Sequence, residues 1–329
     1  MTIYDIAKEA NVSASTVSRV INDKPGVNKK NRELVLTLLK KYRYVPNEAA
    51  RGLVTSSSKM IGILIVDVRT QHYIEGAYYI ANELTKHGYC SLILNTGGSD
   101  EEQSAGIRTL MQHRVEAVVL MGSIFQSKGM QHIIANTPDV PFFMLNGYLD
   151  LPNVYAVLSD ERSGVADCVA LLGKKKKHRI AFLVDTDTPS SRLKTQGFRD
   201  GMAALNARDK ECWVYSGVEG SYSGAFEVTQ RLLQEHPKVD GIICSLDLIG
   251  CGALRALHEA GKKVPGDVAV IGIDNSVYAE ISSPSLTSLD NMIFDSGISI
   301  AHKLIDCLEG RGGNKKAMLF TKIIERETT

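Results

Sequence analysis

Ser13, Ala14, Ser15, Thr16, Ser18, Arg19 and Asn22 crowd a ten-residue stretch near the amino terminus. All are short or hydrogen-bonding side chains. On a helix, short polar residues near the N-terminus let the backbone approach base edges in the major groove. A guanidinium and an amide then supply the donors and acceptors that tell one base pair from another. Such residues need a helix that can be presented to DNA, and the flanking residues supply one. Ile3, Ile6, Ala7 and Ala10 share a helical face, and Val12, Val17, Val20 and Ile21 continue the apolar set past a turn. Ser13 is a suitable N-cap for the second helix. The spacing predicts two short helices joined by a tight turn. A plain amphipathic hairpin packed on another element has the same spacing, because helix-turn-helix patterns are loose.

Charge sharpens the choice. Residues 1–59 hold 11 Lys+Arg against 5 Asp+Glu, a net of +6, whereas the other 270 residues hold 27 against 32, a net of −5. A chain of net charge +1 that gathers its positive charge at one end is arranged to meet phosphates there. Lys174-Lys175-Lys176-Lys177 reads instead as the solvated end of a helix.

With 329 residues the chain has room for two or three domains with proper cores. No apolar run approaches the roughly 18–20 residues of a membrane span, and Met1 leads straight into the basic segment. The cysteines (90, 168, 212, 244, 251, 307) form no C-x-x-C pair, which favours reduced thiols over a zinc site or a disulfide framework. The expectation is a cytoplasmic protein without membrane contact.

Further helices fit residues 31–43, with Asn28 as a possible cap, and a short segment from Asn47 to Val54 ahead of Thr55-Ser56-Ser57-Ser58. So short a helix, with Gly52 inside it, is marginal alone and suits a hinge that orders when something binds it. From Met60 apolar strands alternate with helical patterns. The strands are 61–66, 90–94, 117–121 and 142–145, then 179–184, 212–215, 241–244 and 268–273; a helix over 292–310 and a strand over 317–324 end the chain. Apolar strands separated by helices indicate parallel sheets covered on both faces. The two series resemble each other, so two doubly wound lobes with a ligand cleft between them are expected.

Enzyme motifs are weak. Gly250-Cys251-Gly252-Ala253-Leu254-Arg255 has arginine where a dinucleotide fingerprint needs its third glycine, and it falls inside a helix rather than at its start. There is no phosphate loop, no nucleophile elbow and no H-x-x-x-H pair. Asp185-Thr186-Asp187 lacks calcium-loop spacing. No enzyme activity, cofactor or metal is expected. A transport-type sugar-binding protein shares the core architecture but has no use for a basic helix-turn-helix.

The sequence resembles the LacI/GalR family of bacterial transcription regulators over essentially its whole length. The resemblance rests on Asp5-Ile6-Ala7, Val12-Ser13-x-x-Thr16-Val17-Ser18-Arg19-Val20-Ile21-Asn22, Tyr44-x-Pro46-Asn47-x-x-Ala50-Arg51-x-Leu53, Val264-Pro265-x-Asp267-Val268-x-Val270-Ile271-Gly272-Ile273-Asp274 and Pro284-x-Leu286-Thr287. It implies an all-α helix-turn-helix headpiece (1–45), a hinge helix and linker (46–59) and a periplasmic-binding-protein-like α/β core of two doubly wound parallel-sheet lobes (60–329). It further implies a homodimer that acts as a repressor on a pseudo-palindromic double-stranded DNA operator. Ala14, Ser15 and Arg19 would read bases, with Ser13, Thr16, Ser18 and Asn22 holding the backbone. Arg51 and Leu53 would act in the hinge, where Leu53 is either a minor-groove wedge or a contact between hinges. His72, Tyr73, Lys194, Asp247, Asp274 and Asn291 would bind an effector, for which a carbohydrate is favoured over a nucleobase-like ligand or a phosphorylated protein corepressor. Asp247 could equally cap its helix and Asp274 orient a loop. The family usually has arginine where Lys194 stands, which removes a planar bidentate fork.

Overall fold

The computed structural model describes residues 2–44, 57–207, 210–218 and 220–329. Two compact units emerge, Met1–Ser58 and Lys59–Thr329. Most of the expected hinge, with Arg51 and Leu53, lies outside the described residues.

The amino-terminal unit contains α1 (Ile3–Glu9), α2 (Ala14–Ile21) and α3 (Lys29–Lys41). Thr2 and Asp5 form a reciprocal capping box at α1, and Ser13 and Asn28 cap α2 and α3 through their side chains. Asn11 takes a left-handed conformation (φ 51°) in the turn between α1 and α2, which its short polar side chain tolerates. Ile6, Val17 and Val35 are fully buried where the three helices meet. Lys41 Nζ and the Tyr42 hydroxyl both donate to Glu9, at 2.9 and 3.0 Å, and tie the end of α3 to α1.

The second unit holds two six-stranded sheets. In the first, β1 (Met60–Ile65), β2 (Cys90–Asn95), β3 (Ala117–Met121), β4 (Phe142–Leu145), β5 (Val154–Ser159) and β11 (Lys316–Leu319) run in the order β11-β5-β4-β3-β1-β2, all parallel. In the second, β6 (Arg179–Leu183), β7 (Glu211–Tyr215), β8 (Gly241–Cys244), β9 (Ala269–Ile273), β10 (Thr287–Asp290) and β12 (Lys322–Ile324) run β12-β10-β9-β8-β6-β7, with only β12 antiparallel. Ile63 lies between Ile93 and Val119, as Phe182 lies between Val214 and Ile243. Both sheets are covered on both faces, by clusters around Ile61, Phe142, Phe182 and Ile242, and this burial is why their central strands β1, β3, β4, β8 and β9 are apolar throughout.

Two points differ from the sequence expectation. The reading assigns no element to β5 or β10, and of the helix Glu161–Lys174 it places only the lysine-rich end. Each is a short or glycine-bearing segment whose identity is settled by the sheet or helix it meets. Gly164, for example, lies so close to Thr321 that a side chain there would collide with it. The terminal strand expected over 317–324 is two strands, one in each sheet, so the chain passes between lobes within Phe320–Thr321. The other passages follow β5 and β10. Ser159 Oγ donates to the Asn291 carbonyl at 2.6 Å, and Asp160 N donates to Leu319 O at 2.9 Å, so the crossovers are stitched together.

Candidate functional site

In the headpiece, the Ser13 hydroxyl is committed to its own helix: it accepts from Thr16 N at 3.2 Å and lies 2.7 and 2.9 Å from the Ser15 and Thr16 hydroxyls. Ser15 and Arg19 are exposed one turn apart, while Ala14, Thr16, Ser18 and Asn22 are half-buried. Asn22 Nδ2 donates to the Ser18 carbonyl at 2.8 Å. Ser15, Ser18, Arg19 and Asn22 line a shallow groove of about 420 Å³, joined by Lys24 and Pro25. Sequence reasoning passed over Lys24, because it lies beyond the helix in the following turn. Arg19 lies over Gly26, whose φ of +92° and missing side chain leave room for the guanidinium.

In the core, each sheet has a point where successive connections leave in opposite directions, between β1 and β3 and between β6 and β8. Loops at the carboxyl ends of these strands form the natural ligand crevice of a doubly wound sheet. After β1 the chain enters α4 (Gln71–Lys86), whose first turn carries His72 and Tyr73. After β3 comes Gly122, whose φ of +110° and lack of a side chain make room for the Tyr73 ring. In the other lobe Asp185 follows β6 and Ser245 follows β8; the Ser245 hydroxyl donates to Asp185 Oδ1 at 2.9 Å.

Side chains from both lobes meet here. Asn291 Nδ2 donates to Asp274 Oδ1 at 2.6 Å and lies 3.3 Å from His72 Nδ1. His72 and Asp274 approach to 3.6 Å across the lobes. Asn291 is buried, and its Oδ1 has no hydrogen-bond partner among the described residues. Lys194, on the helix Pro189–Ala204, lies 3.4 Å from Glu161 Oε1 and from the Ser245 carbonyl. The Ser190 hydroxyl donates to Glu161 Oε2 at 2.5 Å, and its backbone N–H donates across the cleft to Ser123 Oγ at 2.9 Å.

Electrostatics follow from this packing. Burial, then the Lys194 charge, pushes the His72 imidazole down to about 3. Tyr73 is pushed up to about 12, by burial first and then by Asp185. Burial opposes the Lys194 charge, but Glu161, Asp274 and Asp185 outweigh it and hold the ammonium well above its usual range. Asp274 is raised by burial, against the pull of Lys194. One buried ammonium thus faces three carboxyl groups, a site rich in acceptors.

Asp247, which the resemblance implies for the effector site, is bonded within its own lobe. Both its oxygens are engaged: Oδ2 accepts from Ser276 N and Oγ at 2.7 and 2.8 Å, and Oδ1 from Ser288 Oγ at 2.6 Å. Burial raises its pKa to about 6 despite these bonds. It does not cap its helix, where Leu246 is the N-cap residue. Its bonds instead hold the loop after β9, which presents Asp274, against β10. Glu161, Asp185, Ser123, Ser190 and Ser245 were missed as site residues. Only Asp185 stood in a noticeable pattern, Asp185-Thr186-Asp187, and that pattern lacks calcium-loop spacing.

The glycines of the rejected dinucleotide motif lie within the helix Asp247–Glu259. A side chain at Gly252 would collide with the Tyr222 carbonyl, so these glycines serve helix packing rather than phosphate binding.

Comparison with known proteins agrees with both units. Residues 2–47 match the model for bacterial regulatory proteins of the lacI family, and residues 169–329 match a periplasmic binding protein-like domain. The chain is 30% identical, over 100% of its length and 99% of the relative's, to an HTH-type transcriptional regulator of Lachnoclostridium phytofermentans. Among solved structures, it is similar to the lac repressor dimer bound to operator and an anti-inducer (TM-score 0.90, 22% identity, 100% of this chain and 98% of that one). It is also similar to a complex of the transcriptional regulator CelR with cellobiose (TM-score 0.73, 26% identity, 100% of both chains). The chain belongs to the LacI/GalR family of helix-turn-helix transcriptional regulators, and it is a DNA-binding regulator rather than an enzyme.

Proposed function

We propose that this regulator acts as a homodimeric repressor whose hold on a pseudo-palindromic operator is controlled by an uncharged polyhydroxylated ligand, a sugar or sugar derivative, bound between the core lobes. The observation that carries this reading is the meeting of His72, Asn291 and Asp274 with Lys194, Glu161 and Asp185 at the carboxyl ends of both sheets. Carboxylates accept from adjacent hydroxyls, Lys194 donates, and the unpartnered Asn291 Oδ1 accepts one more. Anionic ligands such as sugar phosphates suffer the excess of negative charge. The cellobiose complex of the similar regulator CelR supports a carbohydrate.

The headpiece reads bases through Ala14, Ser15 and Arg19, two headpieces serving two inverted half-sites. Arg51 and Leu53 act in the hinge between the units, Leu53 as the minor-groove wedge. An entering ligand replaces the direct contacts that now join the lobes, His72 to Asp274 and Ser190 to Ser123. An occupied cleft therefore holds a different lobe spacing, and coupling of this kind changes operator affinity by roughly 5–150-fold.

A thermal-shift screen of the full chain against sugars, sugar phosphates and nucleobases tests the proposal. At 100 times its dissociation constant a ligand adds about 2.7 kcal/mol of stability. Stabilisation by a neutral sugar, lost in Asp274→Ala while operator binding persists, is expected. Preferential stabilisation by a phosphorylated sugar or a nucleobase would overturn the ligand class, and a ligand response intact in Asp274→Ala would move the site elsewhere.

A further inference from the structure

The eight histidines of this chain form no metal-binding pair along the sequence, yet the fold brings two of them together with a glutamate. Glu83 and His87 stand one turn apart at the carboxyl end of α4, and His302 projects from the helix Ile293–Leu308, α12. His302 Nε2 lies 3.0 Å from Glu83 Oε1 and His87 Nε2 lies 3.7 Å from the same oxygen. All three ligand atoms fall within 4.8 Å of one another. A tetrahedral ion with bonds of about 2.0–2.1 Å needs its ligand atoms roughly 3.3–3.4 Å apart. The two histidine–carboxylate distances bracket that value.

The surroundings are built to hold this arrangement. Glu83 is buried, and its other oxygen, Oε2, accepts from Lys86 Nζ at 2.7 Å, which fixes the carboxylate plane and leaves Oε1 to the imidazoles. A partner bonded to the outer oxygen is the usual support of a metal-binding carboxylate. Both imidazole side chains are about half exposed, so an ion has an open path and room for water in a further coordination position. The helices that carry them approach closely, since a side chain at Gly297 would lie 3.1 Å from Tyr79 Cβ. A groove of about 620 Å³ runs beside the cluster, lined by Glu83, His302, Phe294 and Asp306.

We propose that Glu83, His87 and His302 form a binding site for a divalent transition-metal ion of the zinc class on the amino-terminal lobe. Two imidazole nitrogens and one carboxylate oxygen suit Zn²⁺, Ni²⁺, Co²⁺ and Cu²⁺, and disfavour Mg²⁺ and Ca²⁺, which prefer all-oxygen shells. The ion staples α4 to α12. Those two helices also reach the effector cleft: His72 lies in the first turn of α4, and α12 begins two residues after Asn291. From Glu83 to His72 is 11 residues of α4, so the ion sits about 16 Å from the cleft along that helix. It is a second, separate ligand site on the same pair of helices.

The test is a titration of tag-free, metal-depleted full-length protein with Zn²⁺ in competition with a chromophoric chelator, accompanied by Cu²⁺ electron paramagnetic resonance. One equivalent bound per chain, with nitrogen splitting from two imidazoles, is expected. His302→Ala and His87→Ala should each weaken that site by more than about tenfold, since even outer-shell losses cost about 10–100-fold. His113→Ala, at an exposed position away from the cluster, should leave it unchanged. Both ligand positions are solvent-facing, so the variants are expected to fold, and a circular dichroism spectrum checks this. An unchanged isotherm in the folded double variant would overturn the assignment. So would a Co²⁺ spectrum dominated by thiolate charge transfer, which would place the ion on cysteines.

Discussion

Acidification from pH 7 to pH 5 should destabilise the two-lobed core through the buried imidazole of His72. Its side chain is 13% exposed, and Nδ1 faces the Asn291 amide, an arrangement suited to the neutral ring. Burial and Lys194 hold its pKa down to about 3, whereas the unfolded chain has the ordinary value of about 6.5. The unfolded state therefore binds a proton that the folded state refuses. His72 contributes its full stability above pH 6.5 and loses it as pH falls toward 3. At pH 5, about 1.5 units below the unfolded value, the loss is about 2 kcal/mol at 1.36 kcal/mol per unit. Asp274, 3.6 Å away, acts in the opposite sense: burial raises it above 3.8, so its contribution is greatest in acid and is lost as pH rises. Comparison with His72→Gln, which keeps a polar partner for Asn291, separates the two. Urea unfolding of wild type and variant at both pH values is the assay. The wild type should lose about 2 kcal/mol more than the variant on acidification. Equal losses, or a His72 resonance titrating near 6.5 in the folded protein, would refute the reasoning.

Arg19→Ala should cost about 1–3 kcal/mol of discrimination at one base position per half-site, measured by binding to a panel of single-base operator variants. Uniform weakening across the panel would make Arg19 a phosphate contact instead. Asp247→Ala strips the acceptor from the buried Ser276 N–H and from two serine hydroxyls. It should destabilise the fold by at least about 2 kcal/mol in denaturant unfolding. A loss under about 0.5 kcal/mol would show that the carboxylate does not hold the Asp274 loop.

Much of this architecture is legible in the chain because it rests on local causes. Ser13 and Asn28 cap their helices as their side chains suggest, since an N-cap involves only three or four neighbouring residues. The central strands are recognisable because burial on both faces demands an unbroken apolar run. Elements whose identity depends on distant partners are not legible. β5 pairs with β11, about 160 residues further on, and the tail divides between two sheets because each lobe offers an edge.

The sites divide in the same way. Ser15, Ser18, Arg19 and Asn22 converge because one helix sets their spacing, and a helix is a local object. The sequence alone therefore determined the headpiece, the doubly wound lobes and, through its resemblance, the family. Only the tertiary structure could show that Asp247 bonds Ser276 and Ser288, or that Glu161 and Asp185 share Lys194. Only the packing of α4 on α12 joins His87 to His302, 215 residues apart. Hydrogen bonds and metal bonds act over a few ångströms of space, and separation along the chain says nothing of which residues will come that close.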